Sequence, residues 1–314
     1  MSISSSARIA VMGAGAVGCY FGGMLARAGH AVTLIGRPQH VEVVNREGLW
    51  LETLTFAEFV PLQASADVRA ARDADLVLFC VKTPDSADAA GLLAQHVKRD
   101  TVILSLQNGV DNASRIRTRI AGLVIPSVVY VAATMTGPGR IKHGGRGELI
   151  IGLEDVALAA KKRATLEAIA GMCTRAAIPC RVADNIEGDM WEKLLMNCAY
   201  NAISALGRAH YGRIAKNPPA METAVAAAKE VLAVARANGV RMPERDLIGA
   251  AVKLALMMTT ATSSTAQDIA RGKRTEIDFL NGFIVDRGKA LNVPTPVNQT
   301  LHALVKLREE SLDD

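Results

Sequence analysis

Aromatic side chains are nearly missing from this 314-residue chain: two Trp, four Tyr and six Phe make up 4% of it. Its cores must therefore be aliphatic, built from Ala, Val, Leu and Met. No cluster of basic residues is interleaved with stacking rings, so nucleic-acid binding is not expected. The mild positive balance, +5 with a pI near 9.0, reads instead as an attraction for small anions such as phosphates and carboxylates. Cysteine is sparse as well. Cys19, Cys80, Cys173, Cys180 and Cys198 are odd in number and form no CxxC or paired-knuckle spacing, which argues for reduced thiols in a cytoplasmic compartment. The six histidines lie far apart with no HExxH, so no metal site is expected. Long apolar runs are lacking too. The longest, Leu123 to Met135, is too short to span a bilayer, and the chain enters a glycine motif so soon after Met1 that a signal peptide has no room.

What is present points to a globular protein of two parts. At 33.2 kDa the chain exceeds the usual size of one hydrophobic core, and 50% hydrophobic with 21% charged residues argues against extensive disorder. Arg8-Ile-Ala-Val-Met12 reads as a buried strand, followed at once by Gly13-Ala14-Gly15-Ala16-Val17-Gly18 and a helix to about Ala28. A strand, a glycine loop and a helix in that order make a dinucleotide site. Gly13 permits the turn, Gly15 lets a pyrophosphate reach backbone N–H groups, and Gly18 lets helix and strand pack closely. A second strand, Ala31 to Ile35, ends in Gly36-Arg37 with no acid before Glu42. An Asp or Glu there would bind the ribose 2′-OH, whereas Arg37 can pair with a 2′-phosphate, so NADPH is favoured over NADH unless Arg37 is an ordinary exposed loop residue.

Two continuous apolar runs, within 73–82 and 101–106, read as parallel strands covered on both faces. Lys82 stands at the end of the first and Gln107-Asn108-Gly109 at the end of the second, where open α/β sheets bind ligands. Asn-Gly is also a common turn pair, so Asn108 has two readings. Strand-like pieces between glycine turns at 126–152 suggest an antiparallel edge of the sheet. A helix over about 156–176 and a strand at Pro179–Val182 close a domain spanning 1–183.

From Asn185 the strand pattern gives way to amphipathic helices over about 185–206, 218–238, 244–258, 264–271, 275–291 and 297–311, broken by Pro, Gly and Asn. The expected fold is thus α/β: a Rossmann-type, mostly parallel sheet domain followed by an all-α domain at 184–314. The hinge falls near Ala183-Asp184 and the cleft between the domains is the expected site. In the first of these helices, Lys193, Asn197 and Asn201 fall at i, i+4 and i+8 on one narrow face while apolar residues cover most of the rest. Either a ligand meets this stripe, or the lysine reaches solvent and the asparagines bond to backbone. Ser263-Ser264-Thr-Ala-Gln267-Asp268 and Thr275-Glu276-Ile-Asp278 are further polar clusters, and helix capping explains each as well as a ligand does.

Taken together, the glycine loop, Lys82, Asn108-Gly109, Trp191-x-Lys193-x-x-x-Asn197-x-x-x-Asn201, Ser263-Ser264-x-x-Gln267-Asp268 and Thr275-Glu276-Ile-Asp278-x-x-Asn281-Gly282 resemble the ketopantoate reductase (2-dehydropantoate 2-reductase) family, in the right order from residue 8 to about 308. The resemblance implies NADPH-dependent reduction of 2-dehydropantoate to pantoate, on the way to pantothenate and coenzyme A. It implies Lys193 as general acid, Asn197 and Asn201 as substrate-orienting groups, Ser264 at the substrate carboxylate and Glu276 at its hydroxyl. Asn108 and Lys82 would stand between cofactor and substrate, and Arg37 at the 2′-phosphate. The chemistry agrees, since hydride delivery to a ketone leaves an alkoxide that needs a cation and a proton donor. Two departures bear on the substrate: Thr265-Ala266 stand where bulkier residues are usual, and Arg208-Ala-His-Tyr211-Gly stands where another asparagine is usual. Another 2-oxo or β-keto acid is therefore the alternative substrate. A non-catalytic NADPH sensor is the alternative of another class, although a sensor has no need of Lys193 and Glu276 together. Monomer and homodimer both fit, because the apolar helices at 218–258 suit a dimer face or core packing equally.

Overall fold

The computed structural model describes residues 6–310 and divides into two compact units that meet in sequence at Ile186/Glu187. In the first unit the chain runs β1 (Arg8–Met12), α1 (Ala16–Arg27), β2 (Ala31–Ile35), α2 (Pro38–Glu47), β3 (Leu49–Glu52), β4 (Ala57–Val60), β5 (Gln63–Ser65), β6 (Leu76–Phe79), α3 (Ser86–Ala94), β7 (Val102–Ser105), α4 (Asn112–Arg117), β8 (Val124–Gly137), β9 (Arg140–Ile151), α5 (Val156–Lys161), α6 (Arg163–Arg175) and β10 (Cys180–Val182). The sheet order is β4-β3-β9-β8-β7-β6-β1-β2-β5, with β10 also pairing β9. β1, at the centre of the parallel part, pairs Val11 with Leu34 of β2 and with Leu78 of β6.

Alternation along these strands sorts their side chains between two cores. Ile9, Val11, Leu76, Leu78, Val102 and Leu104 join a core with Phe21 and Leu25 of α1 and Leu166 and Ile169 of α6. Ala10, Val77, Phe79 and Ile103 face the other way, against Ala89, Ala90 and Leu93 of α3 and Ala113 and Ile116 of α4. Burial on both faces is why the strands read as unbroken apolar runs.

The segment expected at the sheet's edge lies inside it. β8 pairs parallel with β7 at Ile103–Val124 and antiparallel with β9, and β9 passes the sheet on to β3 through a parallel pairing of Trp50 with Arg140. The glycines that suggested turns between short pieces mostly mark bulges in one long hairpin. Gly145 and Gly147 have φ of 138° and 128°, with Arg146 between them at 61°, beside register shifts at Tyr130/Val131 and Ala132/Ala133. The helix expected over 156–176 is two, broken at Lys162.

In the second unit the helices are α7 (Ile186–Leu206), α8 (Tyr211–Ala215), α9 (Pro218–Ala237), α10 (Leu247–Met257), α11 (Ser264–Ala270), α12 (Asn281–Leu291) and α13 (Pro296–Glu310). α8 was not foreseen, since five residues are too few to carry a period. The helix expected at 275–291 is interrupted: a 3₁₀ turn (Ile277–Phe279) ends at Leu280, whose φ of −114° and ψ of −99° are not helical, before α12 begins. Ala202 and Ala205 of α7, Ala227 of α9, Ile269 of α11, Ile277, and Leu301 and Val305 of α13 form one core cluster. Among the described residues no helix is long and apolar enough to cross a membrane, and no group of three or more His, Cys, Asp or Glu could hold a metal ion.

Candidate active site

The glycine loop folds as its spacing requires. Gly13 sits at φ 102°, and a Cβ there would fall 2.7 Å from the Val81 nitrogen. At Gly18 a Cβ would fall 2.3 Å from the Gly13 carbonyl oxygen, so helix and loop can meet only without a side chain. Gly15 is the opposite case, exposed and with no heavy atom within 4 Å of a built Cβ. It precedes α1, which has no side-chain cap, so the helix presents its first-turn N–H groups to open space. That combination fits a pyrophosphate.

Arg37 is exposed and occupies the N-cap of α2 with Pro38 at the first helical position. Behind it, buried His40 ties α2 to two neighbours. The Gly139 N–H donates to Nδ1 at 2.9 Å, which leaves Nε2 3.4 Å from Cys19 Sγ of α1. Burial lowers the His40 pKa, so the ring stays neutral and structural.

Lys82 and Asn108 follow adjacent strands, Phe79 of β6 pairing with Ser105 of β7. A buried polar lattice, unforeseen from the sequence, locks the two loops together. Gln107 donates to the Val81 carbonyl (2.9 Å) and to Ser86 Oγ (2.6 Å) while accepting from Ser105 Oγ (3.0 Å). Asn112 donates to the Asn108 carbonyl (2.5 Å) and to Thr83 Oγ1 (3.3 Å). Thr83, Ser86, Ser105, Gln107 and Asn112 are all buried, and such groups are retained only when hydrogen-bonded. The signal available was polar residues beside an apolar strand end, but it does not say which bonds to which.

On α7, Trp191, Glu192, Leu194, Leu195, Cys198, Ala199 and Tyr200 are buried, Lys193 and Asn197 are half-buried, and Asn201 is 2% exposed. The helix is therefore embedded on most sides and carries Lys193, Asn197 and Asn201 along one line. Glu192, one residue from Lys193, is buried against Arg245, whose Nη2 reaches both carboxylate oxygens at 2.6 Å. That pair, too, went unforeseen.

The capping alternatives separate cleanly. Ser263 is the cap of α11, its Oγ accepting from the Ala266 N–H at 3.0 Å, and it also donates to the Asn201 carbonyl at 3.0 Å. Ser264 is exposed at the first helical position, beside α7 through that link. Thr275 Oγ1 accepts from the Ile277 N–H at 3.2 Å, whereas the Glu276 side chain makes no capping bond and precedes the turn instead of lying in it. Ile277, the residue after half-buried Glu276, is in the core cluster with Ala202 and Ala205 of α7. The segment is also held by ionic contacts: Asp278 takes His302 at 2.7 Å and Lys306 at 3.0 Å, and Glu309 accepts from the Thr275 N–H at 2.7 Å. Burial would raise both carboxyls, but these bonds outweigh it and hold them below their ordinary values.

Beneath the stripe, Asn281 and Asn298, both 0% exposed, brace four helices. Asn281 Nδ2 donates to the Cys198 carbonyl of α7 (3.1 Å) and to Asn298 Oδ1 (2.9 Å). Asn298 Nδ2 donates to the Ala227 carbonyl of α9 (3.1 Å) and to Glu230 Oε2 (2.7 Å), while the Glu230 carboxylate accepts the Val297 and Asn298 N–H groups at 2.9 Å each. All five cysteines are free, and burial raises the thiols of Cys19, Cys80 and Cys198, which keeps them protonated and unreactive.

The same chain has extensive relatives. Its residues 9–155 match the family model described as ketopantoate reductase PanE/ApbA, and residues 185–309 match the corresponding C-terminal model. A 2-dehydropantoate 2-reductase of Pyrococcus horikoshii is 35% identical over 304 residues, covering 96% of this chain and 97% of that one. Among solved structures, a PanE/ApbA family ketopantoate reductase from Ralstonia eutropha JMP134 gives a TM-score of 0.90 at 48% identity, over 98% of this chain and 100% of that one. D-mandelate dehydrogenase, solved with NADH and anilino(oxo)acetate, gives 0.88 at 25% identity over 98% and 100%. With both halves matched and relatives aligned along nearly the whole length, the chain belongs to the ketopantoate reductase family.

Proposed function

We propose that this protein reduces 2-dehydropantoate to pantoate with NADPH, a step towards pantothenate and coenzyme A. The observation that carries the reading is the α7 stripe, in which Lys193, Asn197 and Asn201 line one face of a mostly embedded helix, while Ser263, next to Ser264, bonds the Asn201 carbonyl and Ile277, next to Glu276, shares a core with α7. A bound reduced nicotinamide supplies hydride to the ketone carbon. The Lys193 ammonium stabilises the negative charge that develops on the ketone oxygen and passes a proton to it. Asn197 and Asn201 orient the acid, Ser264 meets its carboxylate, and Glu276 takes its hydroxyl. The glycine loop holds the pyrophosphate, with Lys82 and Asn108 at the nicotinamide end. Free cysteines support a reducing, cytoplasmic setting.

A second reading, reduction of a different 2-oxo acid, is favoured by Tyr211 and Thr265-Ala266 and by the likeness to a D-mandelate dehydrogenase. The deciding experiment follows NADPH oxidation by absorbance with 2-dehydropantoate, 2-oxoisovalerate, pyruvate, oxaloacetate and phenylglyoxylate at matched concentrations. The highest kcat/KM is expected for 2-dehydropantoate. Turnover of another acid without it would move the assignment to that acid, and NADPH binding without any turnover would leave a sensor.

Arg37 carries the choice of cofactor. An arginine–phosphate pair is a charge-assisted bond, so Arg37→Ala is expected to raise KM for NADPH by roughly ten- to a hundredfold while leaving KM for NADH nearly unchanged. Parallel loss with both dinucleotides would remove Arg37 from that role.

A further inference from the structure

The carboxamide of Asn201 has two chemically different ends, and which one faces a ligand depends on what holds the other. Tyr211 supplies the holding contact, its Oη lying 3.4 Å from Asn201 Oδ1. A phenol oxygen shares its lone pair with the ring and accepts poorly, so the natural arrangement has the tyrosine O–H donating to the amide oxygen. The amide nitrogen, with two N–H donors, is then turned away from the tyrosine.

The position of that hydroxyl is fixed from several sides. After α7 the chain turns through Gly207 and Arg208, the latter at φ 46°, and Ser204 Oγ donates to the Ala209 carbonyl at 2.8 Å. The Tyr211 N–H donates to the Ala261 carbonyl at 2.9 Å and the Gly212 N–H to the Thr259 carbonyl at 3.1 Å, stitching the corner to the loop that leads into Ser263 and Ser264. The ring lies 5.2 Å from that of Tyr200, which is itself pinned by a 2.7 Å bond to the Ala251 carbonyl. Burial and the neighbouring Tyr200 raise the Tyr211 pKa to about 12, so the hydroxyl keeps its proton at any working pH.

We propose that Tyr211 is a positioning residue acting through Asn201: its hydroxyl fixes the amide orientation in which Nδ2 donates to an oxygen of the 2-oxo acid. The inference rests on the reading that Asn201 binds substrate. Without the hydroxyl, the amide is free to turn its oxygen towards the ligand, where two acceptors would face each other.

Tyr211→Phe keeps the ring and its contact with Tyr200, so it is the variant of choice in the full-length protein, compared with Asn201→Ala and with the double variant. Loss of one oriented hydrogen bond is expected to raise KM for the 2-oxo acid roughly three- to tenfold, with kcat within about twofold and the NADPH Kd and Tm unchanged. In the Asn201→Ala background the Phe substitution is expected to add nothing. An unaltered KM in Tyr211→Phe, or an equal rise in the Asn201→Ala background, overturns the inference while the functional reading stands. A wild-type protein that turns over no 2-oxo acid overturns that reading and the inference with it.

Discussion

Lys193→Ala is expected to lower kcat for 2-oxo acid reduction by about 10²–10⁴, the usual loss on removing a positioned proton donor. NADPH affinity and Tm should stay at wild-type values, because the glycine loop and Arg37 belong to the other compact unit and Lys193 is only half-buried. Lys193→Arg refines the result. Arginine keeps the cation but holds its proton too tightly to pass it on, so a role confined to charge would be largely restored and a role as proton donor would not. Single-turnover kinetics and NADPH titration of the same preparations check both. If affinity and turnover fell together, the lysine would be supporting the fold and the assignment of the acid would be lost.

Glu230→Ala is expected to act in the opposite way, on stability before chemistry. The carboxylate accepts two N–H groups at the start of α13 and the side chain of wholly buried Asn298. Truncation removes three bonds to a charged group, each worth about 1.5–3 kcal/mol; with water reaching the half-buried site and Asn298 keeping its bond to the Ala227 carbonyl, a net loss of about 3 kcal/mol is expected in urea unfolding. Glu230→Gln should fall between, since its one remaining oxygen cannot replace both. A variant within about 0.5 kcal/mol of wild type would show the network to be dispensable. The cause of any lost activity would be indirect: Asn281, which bonds Asn298, also supports the carbonyl of Cys198, the residue after Asn197 of the polar stripe.

These two residues illustrate what the sequence discloses. Lys193 is visible because a helix repeats its faces every three to four residues, and a cation with two amides in line on a mostly apolar helix stands out without any tertiary information. The glycine loop was legible for the same reason, its roles being local. Glu230 gave no such signal; it is one acid on an amphipathic helix, and its importance comes from a helix start that lies far along the chain. The Gln107–Ser86–Asn112–Thr83 lattice and the Glu192–Arg245 pair were hidden likewise, as contacts across loops. The bulged β8–β9 hairpin was misread because glycine at positive φ has the same composition whether it reverses a strand or kinks one.

That hairpin also joins parts of the chain that are synthesised far apart. β3 finds its parallel partner only in β9, and His40 receives its backbone bond only from Gly139. A nascent chain that has reached residue 60 therefore holds the β3–β4 pair and can pack it on α1, but lacks the strand beside β3 until the β8–β9 ribbon is made. During that interval β3 presents an open backbone edge on the side later taken by β9, and an unpaired strand edge invites association with other chains.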